Sequence, residues 1–265
     1  MSGSLEQVRS VLFLPASNPR AIGHARESAA DLVILDLEDA VKPENKDGAR
    51  SAAVEAAAEE WPMPVAIRVN GVGSQWHSAD VDSVARSKAD CAVLPRATSD
   101  RLVHEVAETV GKPLLAMVET AAGVLAAAEI ASQSAALIAG TNDLRAELRV
   151  RAGKDRAAIS ASLQLILLGA RSAGIPAFDG VFNDLEDLDG FAAECLEGRS
   201  LGFDGKSLIH PRQIEPCNRA FSPTDEELAR ARRLVEAFSG GAERFEGQMI
   251  ERMHVETAQR LLDRG

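Results

Sequence analysis

The chain has no tyrosine, two tryptophans and three cysteines in 265 residues, and aromatics make up only 4%. With so few rings, the core has to be built from Ala, Val, Leu and Ile, which suits strands covered on both faces. The cysteines, Cys91, Cys195 and Cys217, are scattered, odd in number and form no CxxC pair. That gives no basis for a disulfide framework or a zinc site and fits a reducing compartment. Basic residues number 29 against 40 acids, for a formal charge of −11. Nonspecific nucleic-acid binding needs a basic face to neutralise phosphates, so that class is set aside. No apolar run reaches the ~18 residues of a membrane span. The opening residues, Met-Ser-Gly-Ser-Leu-Glu-Gln, contain no apolar signal core. These absences predict a cytoplasmic protein with neither membrane nor nucleic-acid partners. GxGxxG, GxxxxGKS/T, HExxH and GxSxG are also missing, which removes the usual phosphate loops, zincin chemistry and the serine elbow.

Hydrophobic residues make up 46% of the chain, enough for a large core, and they fall into eight short runs. These are Ser10–Pro15, Leu32–Leu37, Val65–Asn70, Cys91–Pro95, Leu114–Glu119, Ala136–Gly140, Ile175–Phe182 and Ser207–Pro211. Each is rich in Val, Ile or Leu without strict polar alternation, as parallel strands buried on both faces are. Helical signals stand between them. Asn18-Pro19 reads as an N-cap with a first-turn proline. Leu102, Val103, Val106 and Val110 share one helical face ahead of Gly111, which suits a C-terminal glycine. The Ala-rich stretches Ser51–Ala58 and Ala121–Ala131 have high helix propensity. Eight βα units in this length predict a (β/α)8 TIM barrel over residues 1–221. An open doubly wound sheet is the alternative, because periodicity alone does not reveal closure. After the barrel, residues 222–265 predict a C-terminal helical extension. Thr224 to Glu227 fits a capping box, Gly240 and Gly241 break the helix that follows, and a final helix is expected from Met249 to Leu262. The extension packs either on its own barrel or on a neighbouring subunit.

Barrel active sites lie at the carboxyl ends of the strands. The polar residues ending the runs are therefore the candidates: Asp36, Glu38, Asp39, Arg68, Asn70, Arg96, Glu119, Asp143, Asp179, Asp184 and His210. Burying unpaired acids is costly, and a hard divalent cation explains why several converge. Mg²⁺ takes one or two carboxylates plus waters and substrate, and Glu119 and Asp143 end adjacent runs. The plainer reading of each acid alone is a helix cap. Arg68, inside the run VAIRVNG, has either to face the barrel mouth or to pair with Asp36 or Glu38. His210, before Pro211, reads as a packed, hydrogen-bonded residue.

Eight segments carry a resemblance. In order they are RSVLFLPASNP (Arg9–Pro19), DLVILDLEDAV (Asp31–Val41), IRVNG (Ile67–Gly71), VLPRA (Val93–Ala97), VETAAG (Val118–Gly123), GTNDL (Gly140–Leu144), GKSLIHPRQI (Gly205–Ile214) and FEGQMIE (Phe245–Glu251). With them the chain resembles the citrate lyase β-subunit-like proteins of the HpcH/HpaI aldolase and malyl-CoA lyase family, over nearly its whole length. The resemblance implies an α/β barrel assembled as a homotrimer or hexamer, with Mg²⁺ held by Glu119 and Asp143. It implies Arg68 as the residue that binds substrate and steadies developing negative charge. Asp36, Glu38 and Asp39 join Arg68 and Glu119 in the expected substrate-binding set. Relatives cleave citryl-, malyl-, methylmalyl- or citramalyl-thioesters, with coenzyme A as part of the substrate, into an acyl thioester and a keto acid. The resemblance therefore implies a Mg²⁺-dependent carbon–carbon lyase acting on a β-hydroxyacyl-CoA. A thioesterase of the same fold and a non-catalytic accessory subunit of a citrate lyase-like assembly are the alternatives. Relatives usually carry Asp in the segment FxGxM(I/V)D, expected to act on a neighbour's site; here Glu251 takes that position and the proton-transfer role. Arg96 stands where many relatives have Lys.

Overall fold

Eight parallel strands close into a barrel in simple chain order: β1 (Ser10–Pro15), β2 (Leu32–Asp36), β3 (Val65–Arg68), β4 (Cys91–Leu94), β5 (Leu114–Val118), β6 (Ala136–Ala139), β7 (Ala177–Asp179) and β8 (Gly205–Leu208). β8 returns to β1, with Val11 paired to Ser207, so no strand edge is left open. The structure is a computed structural model that describes residues 5–151, 153 and 155–265. The first four residues of the stretch read above for a signal segment lie outside the described residues. The closed barrel decides between the two architectures the apolar runs allowed. Among the described residues no helix is long and apolar enough to cross a membrane.

The strands form where the runs predict, and β2 to β8 are buried at every position. Helices lie between them, and their ends follow local chemistry. Asn18 caps Pro19–Arg26 by accepting from the Ala21 N–H. Ser99 caps Asp100–Val110, which ends at Gly111 with φ 63°, a left-handed position that costs glycine little. The last strand starts two residues before the run suggested. Gly205 and Lys206 belong to it, and a lysine inside a buried strand carries no hydrophobic signal.

Chain contacts divide the molecule into two compact units, one ending at Ala220 and the other running Phe221–Gly265. In the second unit, helices Asp225–Ala237 and Arg252–Leu262 share a small core of Ala231, Leu234, Ile250 and Ala258. The predicted capping box is present, with Thr224 and Glu227 bonding each other's backbone N–H. The expected helix from Met249 does not begin there. Residues Glu243–Phe245 and Gln248–Ile250 form an antiparallel hairpin, and the helix starts at Arg252. Its two turn residues, Glu246 and Gly247, both have positive φ, at 48° and 83°. That is a two-residue hairpin turn, and three-residue strands are too short to show alternation in the sequence.

Gly205 is fixed by closure. A Cβ there would strike the Arg9 carbonyl oxygen and lie 2.7 Å and 2.8 Å from the Arg9 carbonyl carbon and Cα. Backbone cannot move aside as a side chain does, so Gly205→Ala is expected to cost about 3 kcal/mol. The expected fall in Tm is about 5–10 °C. Gly48→Ala, with nothing within 4 Å, is the control and should leave thermal unfolding unchanged or slightly improved.

Candidate active site

Strand alternation decides which side chains meet. The barrel interior is filled by Val11 and Phe13, Leu32 and Ile34, Ala66, Cys91 and Val93, Leu115 and Met117, Ala136 and Ile138, and Phe178. Residues two apart share a face. One step further toward the carboxyl ends, that face carries Asp36, Arg68, Glu119 and Gly140. The opposite parity sends Asp179 and Lys206, paired across β7 and β8, out toward the helices. There Asp179 accepts from Lys206 Nζ at 2.8 Å and Arg156 Nη2 at 2.6 Å, and Lys206 also reaches Glu194. Asp179 is thus a buried structural ion-pair residue and leaves the set of rim candidates. His210 accepts from the Arg212 N–H at 3.1 Å and caps a short turn, so it is hydrogen-bonded as expected, though only half-buried.

A cavity of about 360 Å³ opens at these strand ends. Asp36, Asp39, Arg68, Glu119 and Asp143 all border it, so five of the residues singled out from sequence meet there. Glu38 lies behind Arg68 and does not border the cavity. Glu251 belongs to the Phe221–Gly265 unit, where it precedes helix Arg252–Leu262 and its N–H donates to His254 Nδ1 at 2.9 Å.

Arg68 is buried and gripped by acids. Its Nε and Nη2 donate to the two Asp36 oxygens, each at 2.7 Å. Nη1 lies 2.9 Å from Glu38 Oε2 and 3.6 Å from the Met117 sulfur. Phe13 stacks under the guanidinium at 5.3 Å. Two of its five N–H hydrogens are spent on Asp36, so the guanidinium keeps donors for a ligand. Burial pulls the Arg68 pKa down, but Asp36 and Glu38 outweigh it and hold the pKa above its ordinary value, so the cation persists. Asp36 has no oxygen to spare. Beyond Arg68, Oδ1 accepts from the Glu38 N–H at 2.8 Å and Oδ2 from the Ala40 N–H at 3.0 Å. That fills its four lone-pair positions and makes it the holder of Arg68. The ion pair and the place at the mouth, alternatives in the sequence, coexist.

Lys46 was missed. Its buried ammonium donates to the carbonyls of Leu37 and Glu38, both at 2.7 Å, and to Asn70 Oδ1 at 2.6 Å. It pins the turn that delivers Glu38 and Asp39, and nothing in sequence separates it from the surface lysines around it.

Glu119 and Asp143 share a neighbour in Arg96. The Arg96 N–H donates to Glu119 Oε1 at 2.7 Å, and Nη1 lies 3.4 Å from Asp143 Oδ1. Arg96 sits at φ 52°, a left-handed conformation that costs a non-glycine residue roughly 1 kcal/mol or more. That turn points its N–H at the carboxylate. Gly140 lies against Glu119, where an added Cβ would collide with the Glu119 Cβ and Oε2. Among the described residues, Glu119 Oε2 accepts no hydrogen bond. Burial pushes the Glu119 carboxyl up to about 7, with Asp143 adding to the rise and the Arg96 N–H opposing it. Burial likewise pushes Glu38 up to about 8, against the pull of Arg68.

Among the described residues no three His, Cys, Asp or Glu side chains gather as a metal site. Two carboxylates with free oxygens at one cavity wall still fit a hard cation that keeps waters and substrate as its other ligands. Residues 9–211 match the sequence family described as HpcH/HpaI aldolase/citrate lyase. The chain belongs to this family. Among HpcH/HpaI relatives, a (3S)-malyl-CoA thioesterase of Cereibacter sphaeroides is 41% identical, over 99% of this chain and 96% of that protein. A citrate lyase subunit beta of Escherichia coli is 32% identical over 100% of this chain and 97% of its own length. The crystal structure of protein CitE from Mycobacterium tuberculosis, in complex with magnesium, acetoacetate and coenzyme A, superposes with a TM-score of 0.86. Identity to it is 34%, covering 98% of this chain and 99% of that one.

Proposed function

We propose that the protein is a Mg²⁺-dependent carbon–carbon lyase acting on a β-hydroxyacyl-CoA thioester of the malyl, citramalyl or citryl type. It yields acetyl-CoA or a homologue and a 2-keto acid. The observation that carries this reading is one cavity wall bearing Glu119 and Asp143 beside the clamped cation of Arg68. Glu119 and Asp143 would hold the ion, which when bound supplies Lewis-acid polarisation and a template for the keto-acid oxygens. Arg68 lies where a developing thioester enolate needs positive charge and hydrogen-bond donors. Asp36 and Glu38 fix that geometry in advance. Asp39, exposed at the mouth, faces the entering substrate. The apolar wall of Phe13, Met117 and Val181 excludes water from the bond being broken.

A proton still has to be delivered to the acyl carbon. We assign this to Glu251, carried by the Phe221–Gly265 unit of a neighbouring subunit in a trimer or hexamer, working in the cytoplasm. The two units would then be the barrel domain and the extension that serves another barrel. Glu251→Gln is expected to leave Mg²⁺ and keto-acid binding unchanged while slowing turnover about 10²-fold or more. An unchanged rate, measured with binding in the same preparation, returns Glu251 to an ordinary helix-end acid.

The thioesterase reading is favoured by one observation, the 41% identity to (3S)-malyl-CoA thioesterase across nearly the whole chain. An assay with malyl-, citramalyl-, methylmalyl- and citryl-CoA, with and without Mg²⁺, separates the two. Keto acid released without free thiol identifies the lyase; free thiol without keto acid identifies the thioesterase. Silence across the panel with Mg²⁺ and keto acid still bound points to an accessory subunit.

A further inference from the structure

Ser207 is a buried interior residue that the mechanism above does not use. It pairs with Val11 across β1 and β8, and Val11 belongs to the interior cluster, so the serine faces the barrel axis. It is 1% exposed, and it borders the cavity with Phe13, Met117, Val181 and Ile209. Its Oγ meets no hydrogen-bond partner among the described residues. A buried hydroxyl left unsatisfied is destabilising, and Phe13, Met117, Val181 and Ile209 on the same lining offer it no strong partner. Among the cavity's other polar groups, Arg68 and Asp36 engage each other, Glu119 is buried beside the Arg96 N–H, and Asn142 and Asp143 lie toward solvent at the mouth. A thioester with its long coenzyme arm has to leave through that mouth. The small half of the substrate is therefore the part that reaches the floor.

We propose that Ser207 is a binding residue for the keto-acid half of the substrate, its hydroxyl hydrogen-bonding an oxygen of that acid at the cavity floor. The assignment rests on the lyase reading above. It gives the buried hydroxyl its missing partner only when ligand is present. The sign of the effect therefore differs between the free and the ligand-bound protein, which a packing role does not produce.

The test compares wild type and Ser207→Ala by titration calorimetry with pyruvate, glyoxylate and oxaloacetate in the presence of Mg²⁺, and by thermal unfolding of the ligand-free protein. The expected result is about tenfold weaker binding of the keto acid that wild type prefers. Mg²⁺ affinity should be unchanged, and the Tm of the ligand-free protein equal to wild type or higher, because an unsatisfied hydroxyl has been removed. Equal affinity of both proteins for the bound keto acid overturns the Ser207 assignment alone. A lower ligand-free Tm with unchanged affinity also overturns it and makes the serine a packing residue. Wild-type protein that binds none of the three acids overturns the lyase reading and this assignment with it.

Discussion

Arg68→Ala is expected to lower turnover about 10²–10³-fold, the usual effect of removing a fixed donor to developing negative charge. Part of any loss will come from the fold. Asp36 and Glu38 would stay buried without their cation, and removing one partner of a buried pair costs about 3–5 kcal/mol. Two further variants separate the effects. Arg68→Lys keeps a charge but not the two-pronged grip on Asp36, so it should recover stability more than rate. Arg68→Ala combined with Asp36→Asn removes both charges of the pair and should recover much of the Tm with no recovery of rate. Steady-state kinetics and thermal unfolding on the same preparations check this. A wild-type rate in Arg68→Ala would reduce the arginine to an ion-pair partner.

The second large effect concerns Glu119 and Asp143. Even residues behind a metal ligand typically cost 10–100-fold in affinity when changed, so Glu119→Gln and Asp143→Asn should each weaken Mg²⁺ binding by at least about 100-fold. Unchanged Mg²⁺ affinity in both, by calorimetry, would remove the metal site. The same carboxylate gives a pH dependence. In the metal-free protein Glu119 is held up at about 7 and Glu38 at about 8, above the ordinary carboxylate range of about 4.3. Between these limits the folded protein binds more protons than the unfolded chain. The derivative of stability with pH is then negative, so these two groups stabilise most at low pH and lose that contribution as pH rises to about 8. Mg²⁺ competes with the Glu119 proton, so its binding should tighten as pH rises through about 7. Tm measured against pH in EDTA and in Mg²⁺ should show the two curves diverging upward through that range. Glu119→Gln should abolish the divergence. Parallel curves in wild type would take Glu119 out of the ion's coordination.

Much of this was legible in the residues. The eight apolar runs predicted the strands because a strand covered on both faces needs uninterrupted Val, Ile and Leu. Asn18, Gly111 and the Thr224 capping box marked helix ends because those signals act over a few residues. Arg68, Glu119 and Asp143 stood out because a charge at the end of such a run is expensive without a use. Lys206 inside β8, the Glu243–Ile250 hairpin and Lys46 did not. Each owes its place to partners distant in sequence, Asp179 and Glu194 for Lys206 and the carbonyls of Leu37 and Glu38 for Lys46, or to strands too short to show a period.

The sequence by itself determined the barrel's element order and which residue types end its strands, since both follow from local pattern. Tertiary structure alone decided that the sheet closes, that Asp179 faces outward while Ser207 faces in, and that Asp36 spends both oxygens holding Arg68. Those outcomes depend on strand register and on which hydrogen bonds a buried group finds in three dimensions, and no local pattern carries either.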